Sequence, residues 1–552
     1  MAHQAQPQPQ QQEDKDVIHH VEAHGQDMVE EIDHALAKGQ PVLMKSSLDR
    51  MTVWQAAAAY KKTTLLCMAA AFSASLDGYQ INLNGSIVAN KGFIATMTSP
   101  GQTAINGPYV SAWGGIQSTG QFIGQMIFPA FTDKFGRKIA LYAIWLICAL
   151  SVVIESVTKN WWTWLIAKLF AGIGVGSLQA TLPVYISEHS PTQLRGFLIN
   201  AYTFWFVVGQ LMAPVALNEL NATHPYDFKT AIYTQWAMIG ITIIIYVLLP
   251  ESPWWLVSKS KLEQAEKVLV KYNGHVADYD VHEEIGIMVA TIEQEQRVRE
   301  ATKTKDIWAI FRGTNGWRLL IALWPKLMQQ FVGLSVFNSY STYFFQLAGN
   351  KQPFQVTVIL ACVQLISCII FATCTDAFGR RPLTIYPYCI CTVAVLGLGI
   401  VGCFDYTSYA LGSLLIFFAC VAIFTCTGAS AIGYAYLAEI PQQHLRARTS
   451  GWGLAITNLF GIMFSFTVPL MLKGAGNGGP VWGVKTGFFF AGTGLVVCVI
   501  GWFIIPEVAQ RTPAEINELF EKKVSPRKFK GYVTDVQMTL EEKERVQEAA
   551  IA

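Results

Sequence analysis

The stretch Pro183-Val-Tyr185-Ile-Ser187-Glu188-His-Ser-Pro191-Thr-Gln-Leu-Arg195-Gly196 lies between two long apolar segments. It places a carboxylate, Glu188, and a guanidinium, Arg195, where one predicted membrane helix ends and the next begins. The pattern returns as Glu439-Ile-Pro441-Gln-Gln-His-Leu-Arg446, again directly after an apolar run. A recurrence of this kind predicts that the chain contains two related halves.

A second pair of charged loops recurs in the same order. The first copy reads Asp133-Lys-Phe-Gly-Arg137-Lys, and the second reads Asp376-Ala-Phe-Gly-Arg380-Arg. Each copy supplies an acid, a glycine for a tight turn and paired cations. Two copies of two loop motifs predict an internally duplicated membrane protein.

Composition supports a membrane location. The chain has 552 residues, of which 52% are hydrophobic and only 14% are charged, whereas soluble domains carry about 25% charged residues. The net charge of +2 gives no indication of a nucleic-acid partner. The sequence holds no nucleotide-binding loop, metal-ligand cluster or nucleophile elbow. We therefore expect no enzyme activity, catalytic residue, metal or cofactor.

Apolar segments divide the chain into spans, since a membrane helix needs roughly 20 predominantly apolar residues. The fold class predicted is an all-α membrane protein with twelve transmembrane helices. They fall at about 63–87, 109–131, 139–158, 162–185, 197–218, 230–249, 318–346, 354–375, 382–403, 409–436, 450–472 and 485–505.

These spans imply five regions. We predict a disordered cytoplasmic tail (1–60), a first six-helix bundle (61–256), an intracellular helical linker (257–316), a second six-helix bundle (317–505) and a cytoplasmic C-terminal tail (506–552). Basic residues cluster in alternate loops, which places both termini in the cytoplasm of a multi-pass cell-membrane protein. The sequon Asn221-Ala-Thr223 then falls in an outward loop, where a glycan is expected.

The repeated charged loops have two interpretations. They act as topology anchors, or they form ion pairs that hold one face of the protein shut in one state and part in another. Small energies suffice to balance two conformations, and the matched positions favour a gate. The candidate gating residues are Asp133, Arg137, Glu188, Arg195, Asp376, Arg380, Glu439 and Arg446.

Together with Pro250-Glu-Ser-Pro-Trp-Trp-Leu256 and Gln329-Gln330-Phe-Val-Gly333, these motifs resemble the sugar-porter family of the major facilitator superfamily. The likeness covers about residues 60–525. The doubled tryptophan and Tyr340-Ser-Thr-Tyr-Phe-Phe345 resemble in particular the fungal maltose and general α-glucoside permeases. The resemblance implies two six-helix bundles around a central cavity, with a sugar site at mid-membrane and alternating access.

The resemblance also implies a set of sugar-binding residues. Gln329 and Gln330 match the paired glutamines that bind sugar in this family, and Gln364, Asn458 and Tyr434 match further positions. Thr203 and Ser335 stand where the family usually has amides, which leaves the identity of the sugar open. A sugar site needs amides and aromatics, although each amide here could instead bridge helices.

Proton coupling is the main departure from the family. Symporters of this family carry a titratable acid on the first helix, where this chain has Gln80, and maltose permeases add acids that correspond here to Asp77 and Gln121. An amide cannot carry a proton at physiological pH. Asp77 is therefore the candidate proton-coupling residue, and both proton symport and proton-independent diffusion stay open.

The expected function is that of a carrier, functional as a monomer, that moves an α-glucoside disaccharide or a hexose across the plasma membrane. The alternative is a non-transporting sugar receptor on the same fold. Such receptors often have long cytoplasmic C-terminal tails, whereas this chain ends about 45 residues after the last predicted span. The short tail favours a carrier.

Overall fold

A computed structural model describes residues 53–98, 104–191, 194–276, 279–301, 310–404, 409–442, 445–473, 481–509, 511 and 513–534. Within these ranges the regular structure is helical. The helices of the first half are α1 Val53–Ala59, α2 Lys61–Phe72, α3 Ala74–Ser86, α4 Lys91–Met97, α5 Gly107–Phe135, α6 Arg137–Val157, α7 Trp161–His189, α8 Arg195–Thr223 and α9 Lys229–Leu248. The linker and second half contain α10 Pro253–Ser258, α11 Leu262–Asn273, α12 Val281–Ala301, α13 Gly313–Phe331, α14 Leu334–Asn338, α15 Ser341–Leu347, α16 Pro353–Phe378, α17 Arg380–Val401, α18 Tyr409–Glu439, α19 Arg446–Lys473, α20 Thr486–Ile504 and α21 Pro513–Glu521.

Each of the twelve predicted spans contains helix, which confirms the predicted fold class. In the described part of the chain, nine helices are long and apolar enough to cross a membrane. The other three spans are the first (α2 and α3), the second (α5) and the seventh (α13 to α15). The first and seventh are broken into shorter helices, the seventh at Gly333, whose φ is +93°.

Two helix bundles meet along three contacts. In the first bundle α5 packs on α7 and α3 packs on α8, and in the second α17 packs on α18 and α20. The halves meet where α5 packs against α19, where α8 packs against α16 and where α15 packs against α3. The first, second and seventh spans, which carry the most polar side chains, therefore lie close to the boundary between the halves.

The segment between the bundles forms a small helical cluster. Leu256, Leu269 and Ile285 are buried against each other, with Trp254 and Trp255 packed on them. The cluster joins the first half, since Thr63 Oγ1 donates to Asn273 Oδ1 at 2.5 Å. Residues 302–309 of the predicted linker lie outside the described residues.

The predicted tails differ in part from the structure. Residues 1–52 of the N-terminal tail lie outside the described residues, but Val53–Ala59 is helical although it falls inside the tail predicted as disordered. Beyond the last span, α21 and a 3-10 helix at Pro526–Gly531 follow. Asn221 lies in the last turn of α8, not in a loop, because the helix continues past the apolar segment to Thr223.

Candidate functional site

The repeated loops form matching ion pairs at one end of the bundles, which we call the charged end. Arg137 Nη2 lies 2.7 Å from Glu188 Oε1, and Arg137 Nη1 lies 3.2 Å from Asp133. In the second half, Arg380 lies 2.9 Å from Glu439. Each of these pairs joins residues of one half.

In the described part of the chain, the ion pair of Glu188 is with Arg137 and not with Arg195, the cation of its own motif. Glu188 accepts hydrogen bonds from Arg137 and from the hydroxyl of Ser252 instead. Arg137 stands at the start of α6, where its side chain reaches the end of α7, so the two repeated loops of one half bind each other. The side chains of Asp376 and Arg446 lie outside the described residues, and Glu439 has Arg380 as its described ion-pair partner.

Two carboxylates that were not among the candidate gating residues hold the same loops. Glu251 accepts from the backbone N–H groups of Arg137 and Lys138 at 2.8 and 3.2 Å. Glu507 accepts from those of Arg380 and Arg381 at 3.0 and 3.1 Å. Each carboxylate binds a helix N-terminus, which favours negative charge. A Pro-Glu dipeptide after the sixth and the twelfth spans was the signal available in the sequence.

The turns between these helices require glycine. Gly136 has a φ of +102° and Gly379 a φ of +85°, a region that L side chains rarely adopt. A Cβ added at Gly136 would lie 2.4 Å from Glu251 Oε2, and one at Gly379 would lie 2.7 Å from Glu507 Oε2. The glycines of both repeats therefore let the carboxylates approach the backbone.

At the opposite end, contacts join the two halves directly. Ser118 Oγ donates to Ser465 Oγ at 2.9 Å, and Tyr343 OH donates to Ile105 O at 3.2 Å. Lys473 Nζ donates to the same carbonyl at 2.8 Å. The described contacts between the halves thus close this end, whereas the described ion pairs at the charged end stay within each half.

Asp77 lies at the centre of a hydrogen-bonded network. It is 1% exposed, and its two oxygens accept from Tyr202 OH at 2.9 Å and from Gln179 Nε2 at 3.2 Å. Gln179 Oε1 in turn accepts from Gln121 at 2.8 Å and from Gln125 at 2.9 Å. The carboxylate is therefore linked to α5, α7 and α8.

This network crosses to the second half. The amide of Asn458 on α19 donates to Gln125 Oε1, so a continuous set of hydrogen bonds runs from Tyr202 through Asp77 to the second bundle. A separate amide pair does the same between α16 and α8, where Gln364 Nε2 donates to Gln210 Oε1 at 2.7 Å. In this conformation Asn458 and Gln364 bridge helices, which is the alternative left open by the sequence.

The glutamine pair of α13 lies on the other side of the same boundary. Gln329 and Gln330 are both 8% exposed. Ser430 donates to Gln329 Oε1, while Gln330 makes no hydrogen bond to another described side chain and lies near Gly461. A buried amide without a protein partner is costly, so Gln330 is well placed to bind a polar cargo.

Tyr434 is the aromatic residue of the predicted sugar site. Its side chain is 55% exposed although it stands in the tenth span, and it lies within electrostatic range of Asp77 and Tyr202 in the other half. These interactions place Tyr434 near the first half. We use the name central chamber for the part of the boundary between the halves that holds Asp77, Gln125, Gln330 and Tyr434.

The remaining predicted site residues have fewer contacts. Thr203 is half-buried on α8, next to Tyr202, and Ser335 is buried on α14 directly after the break of the seventh span. Neither side chain forms a hydrogen bond with another described residue. The structure does not bring either residue into the networks around Asp77 and Gln329.

A second buried network lies within the first half. Lys168 and Glu155 form an ion pair at 2.8 Å, and both side chains are fully buried. Lys168 Nζ also donates to Gln80 Oε1 at 3.2 Å, and Gln235 Nε2 donates to Glu155 Oε2 at 3.0 Å. Gln80 Nε2 closes the ring by donating to Gln235 at 2.5 Å. Glu155 was not predicted from the sequence as a functional residue, although an acid inside an apolar span indicates one.

Comparisons with known proteins agree with this arrangement. The family model described as "Sugar (and other) transporter" matches residues 66–520. The general alpha-glucoside permease of Saccharomyces cerevisiae is 27% identical over 501 residues, which are 88% of this chain and 79% of the permease. The hexose transporter HXT10 of the same yeast is 26% identical over 442 residues, covering 77% of this chain and 78% of that protein.

Solved structures show the same fold. The xylose transporter XylE from E. coli, in a partially occluded inward-open conformation, superposes with a TM-score of 0.64 at 19% identity. The match covers 82% of this chain and 100% of XylE. The two six-helix bundles described above are therefore the major facilitator fold.

Proposed function

Since this chain belongs to the sugar (and other) transporter family and is a membrane sugar transporter, we propose that it moves an α-glucoside of the maltose type, or a hexose, by alternating access. We place it in the cell membrane as a monomer, with both termini in the cytoplasm. The name of the general alpha-glucoside permease, which is similar over most of this chain, supports an α-glucoside as the cargo.

The observation that carries the proposal is the central chamber itself. Amides and a carboxylate from the first half face amides and a tyrosine from the second, deep in an apolar protein. A sugar presents many hydroxyls, each of which both donates and accepts hydrogen bonds, and amide side chains match both roles. Gln330 supplies an amide that forms no hydrogen bond with another described side chain.

Alternating access is supported by the unequal contacts at the two ends. The halves are joined at the opposite end by Ser118, Tyr343 and Lys473, so cargo would reach the chamber from the charged end. Rocking of the halves would break these contacts and bring the two charged loop systems together. Because each loop system is held by ion pairs within its own half, each half can move as a unit.

We further propose that Asp77 couples transport to protons. As a carboxylate, it accepts from both Tyr202 and Gln179, and Gln179 is linked through Gln125 to Asn458 in the other half. A protonated Asp77 would instead donate one hydrogen bond, which would rearrange Gln179 and its partners. Protonation would thereby alter a link between the halves.

Uptake into proteoliposomes tests the function. Labelled maltose, other disaccharides and hexoses would be supplied with and without an imposed pH gradient. We expect saturable uptake of at least one sugar and its accumulation when the outside is acidic. Uptake without accumulation would establish facilitated diffusion, and saturable binding without any uptake would establish a receptor.

Replacement of Gln330 by alanine tests the sugar site. We expect the affinity for the transported sugar to fall by about 1–3 kcal/mol, the range for leaving a buried polar partner unmatched. The measurement is the half-saturation constant of uptake under zero-trans conditions. Gln352→Ala is the matched control, since Gln352 is an exposed glutamine of the same half. Equal constants for Gln330→Ala and the unmodified protein would remove Gln330 from the site.

A further inference from the structure

A lysine lies buried in the seventh span, one helical turn from the glutamine pair. Lys326 is 2% exposed and stands about 20 Å along α13 from its start at Gly313, at a rise of about 1.5 Å per residue. None of the described carboxylates forms an ion pair with it. A buried ammonium without an acid is costly in a membrane protein and usually has a functional reason.

The contacts of Lys326 connect it to Gln329 and to Tyr434, two residues of the predicted sugar site. Its Nζ donates to Ser430 Oγ at 3.3 Å, and Ser430 donates to Gln329 Oε1. The ring of Tyr434, which borders the central chamber, lies 3.3 Å from Nζ. The lysine therefore contacts two residues of α18 and acts on α13 through one of them.

We propose that Lys326 is a positioning residue that fixes Gln329 as a hydrogen-bond donor to the sugar, an inference that rests on the proposed function. An ammonium has donors only, so the hydroxyl of Ser430 must accept from it. Ser430 then has its single hydrogen to donate, and this selects the carbonyl oxygen of Gln329. The amide of Gln329 cannot exchange the positions of its oxygen and nitrogen without losing that bond.

The consequence is that Gln329 presents a hydrogen-bond donor, and not an acceptor, to the central chamber. The Gln329 Nε2 group makes no hydrogen bond to another described residue, and the Ser430 bond keeps Oε1 engaged. Gln329 therefore offers N–H groups at this point. The sugar oxygen that meets Gln329 accepts a hydrogen bond and need not donate one.

The surrounding backbone accommodates the lysine. Gly433 on α18 faces its aliphatic chain, and an added Cβ there would lie 3.2 Å from Lys326 Cγ and 3.3 Å from Cδ and Cε. Tyr434, the next residue, covers the ammonium by a cation–π contact. The Nζ of Lys326 is held against the Ser430 hydroxyl by residues of one helix, α18: Ser430, Gly433 and Tyr434.

Kinetics of uptake by variants test this chain of contacts. Lys326→Met and Ser430→Ala should each raise the KM for the transported sugar about three- to tenfold, the range expected from a net hydrogen-bond contribution, with Vmax within about twofold of the unmodified protein. Ser430→Thr keeps the hydroxyl and should restore the KM. The double variant should be no worse than the poorer single variant, because both changes release the same amide. Lys351→Met, at an exposed lysine of the same half, is the control.

A panel of analogues supplies a readout that a purely structural role would not change. Each sugar hydroxyl would be replaced in turn by fluorine, which can accept but not donate, or by hydrogen, which can do neither. In the unmodified protein, we expect one ring position at which the fluoro analogue competes for uptake almost as well as the parent sugar and the deoxy analogue competes about tenfold less well. Lys326→Met should abolish this difference.

The outcomes separate the inference from the proposed function. Normal sugar uptake with unchanged KM and unchanged fluoro preference in folded Lys326→Met and Ser430→Ala would overturn the positioning role alone. Effects that multiply in the double variant would also overturn it. Absence of both uptake and sugar-induced thermal stabilisation in the unmodified protein would overturn the proposed function and the inference together.

Discussion

Lys168→Met is expected to lower the free energy of unfolding of the first bundle by about 3–5 kcal/mol, the range for removing one partner of a buried ion pair. The substitution leaves Glu155 as an uncompensated charge in a fully buried position. It also removes the donor to Gln80 and the cation that lies 4.4 Å from the Trp164 ring. Thermal unfolding of the purified protein in detergent measures the loss.

A double variant identifies the cause of that loss. Lys168→Met with Glu155→Gln removes the unpaired charge, and the new amide still accepts from Gln235. We expect the double variant to recover most of the stability, because replacing a buried ion pair by neutral groups is often close to neutral. Lys159→Met, at an exposed lysine in the loop before α7, should stay within about 0.5 kcal/mol of the unmodified protein. A double variant less stable than Lys168→Met would contradict the explanation.

Asp77→Asn is expected to abolish accumulation of sugar against its gradient while retaining exchange of sugar across the membrane. An imposed difference of two pH units corresponds to about 2.7 kcal/mol, or about 100-fold accumulation by a carrier that moves one proton with each sugar. Asparagine cannot take up or release this proton. It can still accept one of the two hydrogen bonds that Asp77 accepts.

Two assays on the same proteoliposomes separate coupling from binding. Accumulation under an acid-outside gradient should fall to the equilibrium level in Asp77→Asn, whereas counterflow of labelled sugar should stay within about tenfold of the unmodified rate. Glu219→Gln, at an exposed acid of the same half, should leave both unchanged. Continued accumulation by Asp77→Asn would place the coupling proton on another group.

The general architecture could be predicted from the sequence because it depends on local patterns. Apolar segments of sufficient length specified the twelve spans, and the repeated loops around Arg137 and Arg380 specified the duplication. The three spans that are not uniformly apolar were still predicted, since their polar residues are spaced among apolar ones. The helix Val53–Ala59 was not predicted, because it is too short for its apolar residues to indicate a separate element.

Side-chain contacts between helices were harder to predict than the helices themselves. Glu188 and Arg195 are near each other in sequence, yet Glu188 binds Arg137 from another loop, because helix ends from different spans converge at the charged end. Asn458 and Gln364 were identified as site residues, but their hydrogen bonds to the other half depend on how the bundles meet. Lys326 was missed, although its position three residues before Gln329 places both on one helix face.

The seal at the opposite end has a consequence for how the protein responds to its surroundings. Ser118, Tyr343 and Lys473 close it with hydroxyl and carbonyl partners, and none of the contacts described there pairs opposite charges. Dissolved electrolyte mainly weakens attractions between opposite charges that are exposed to water. The opening of this end should therefore depend little on the ionic strength of the medium.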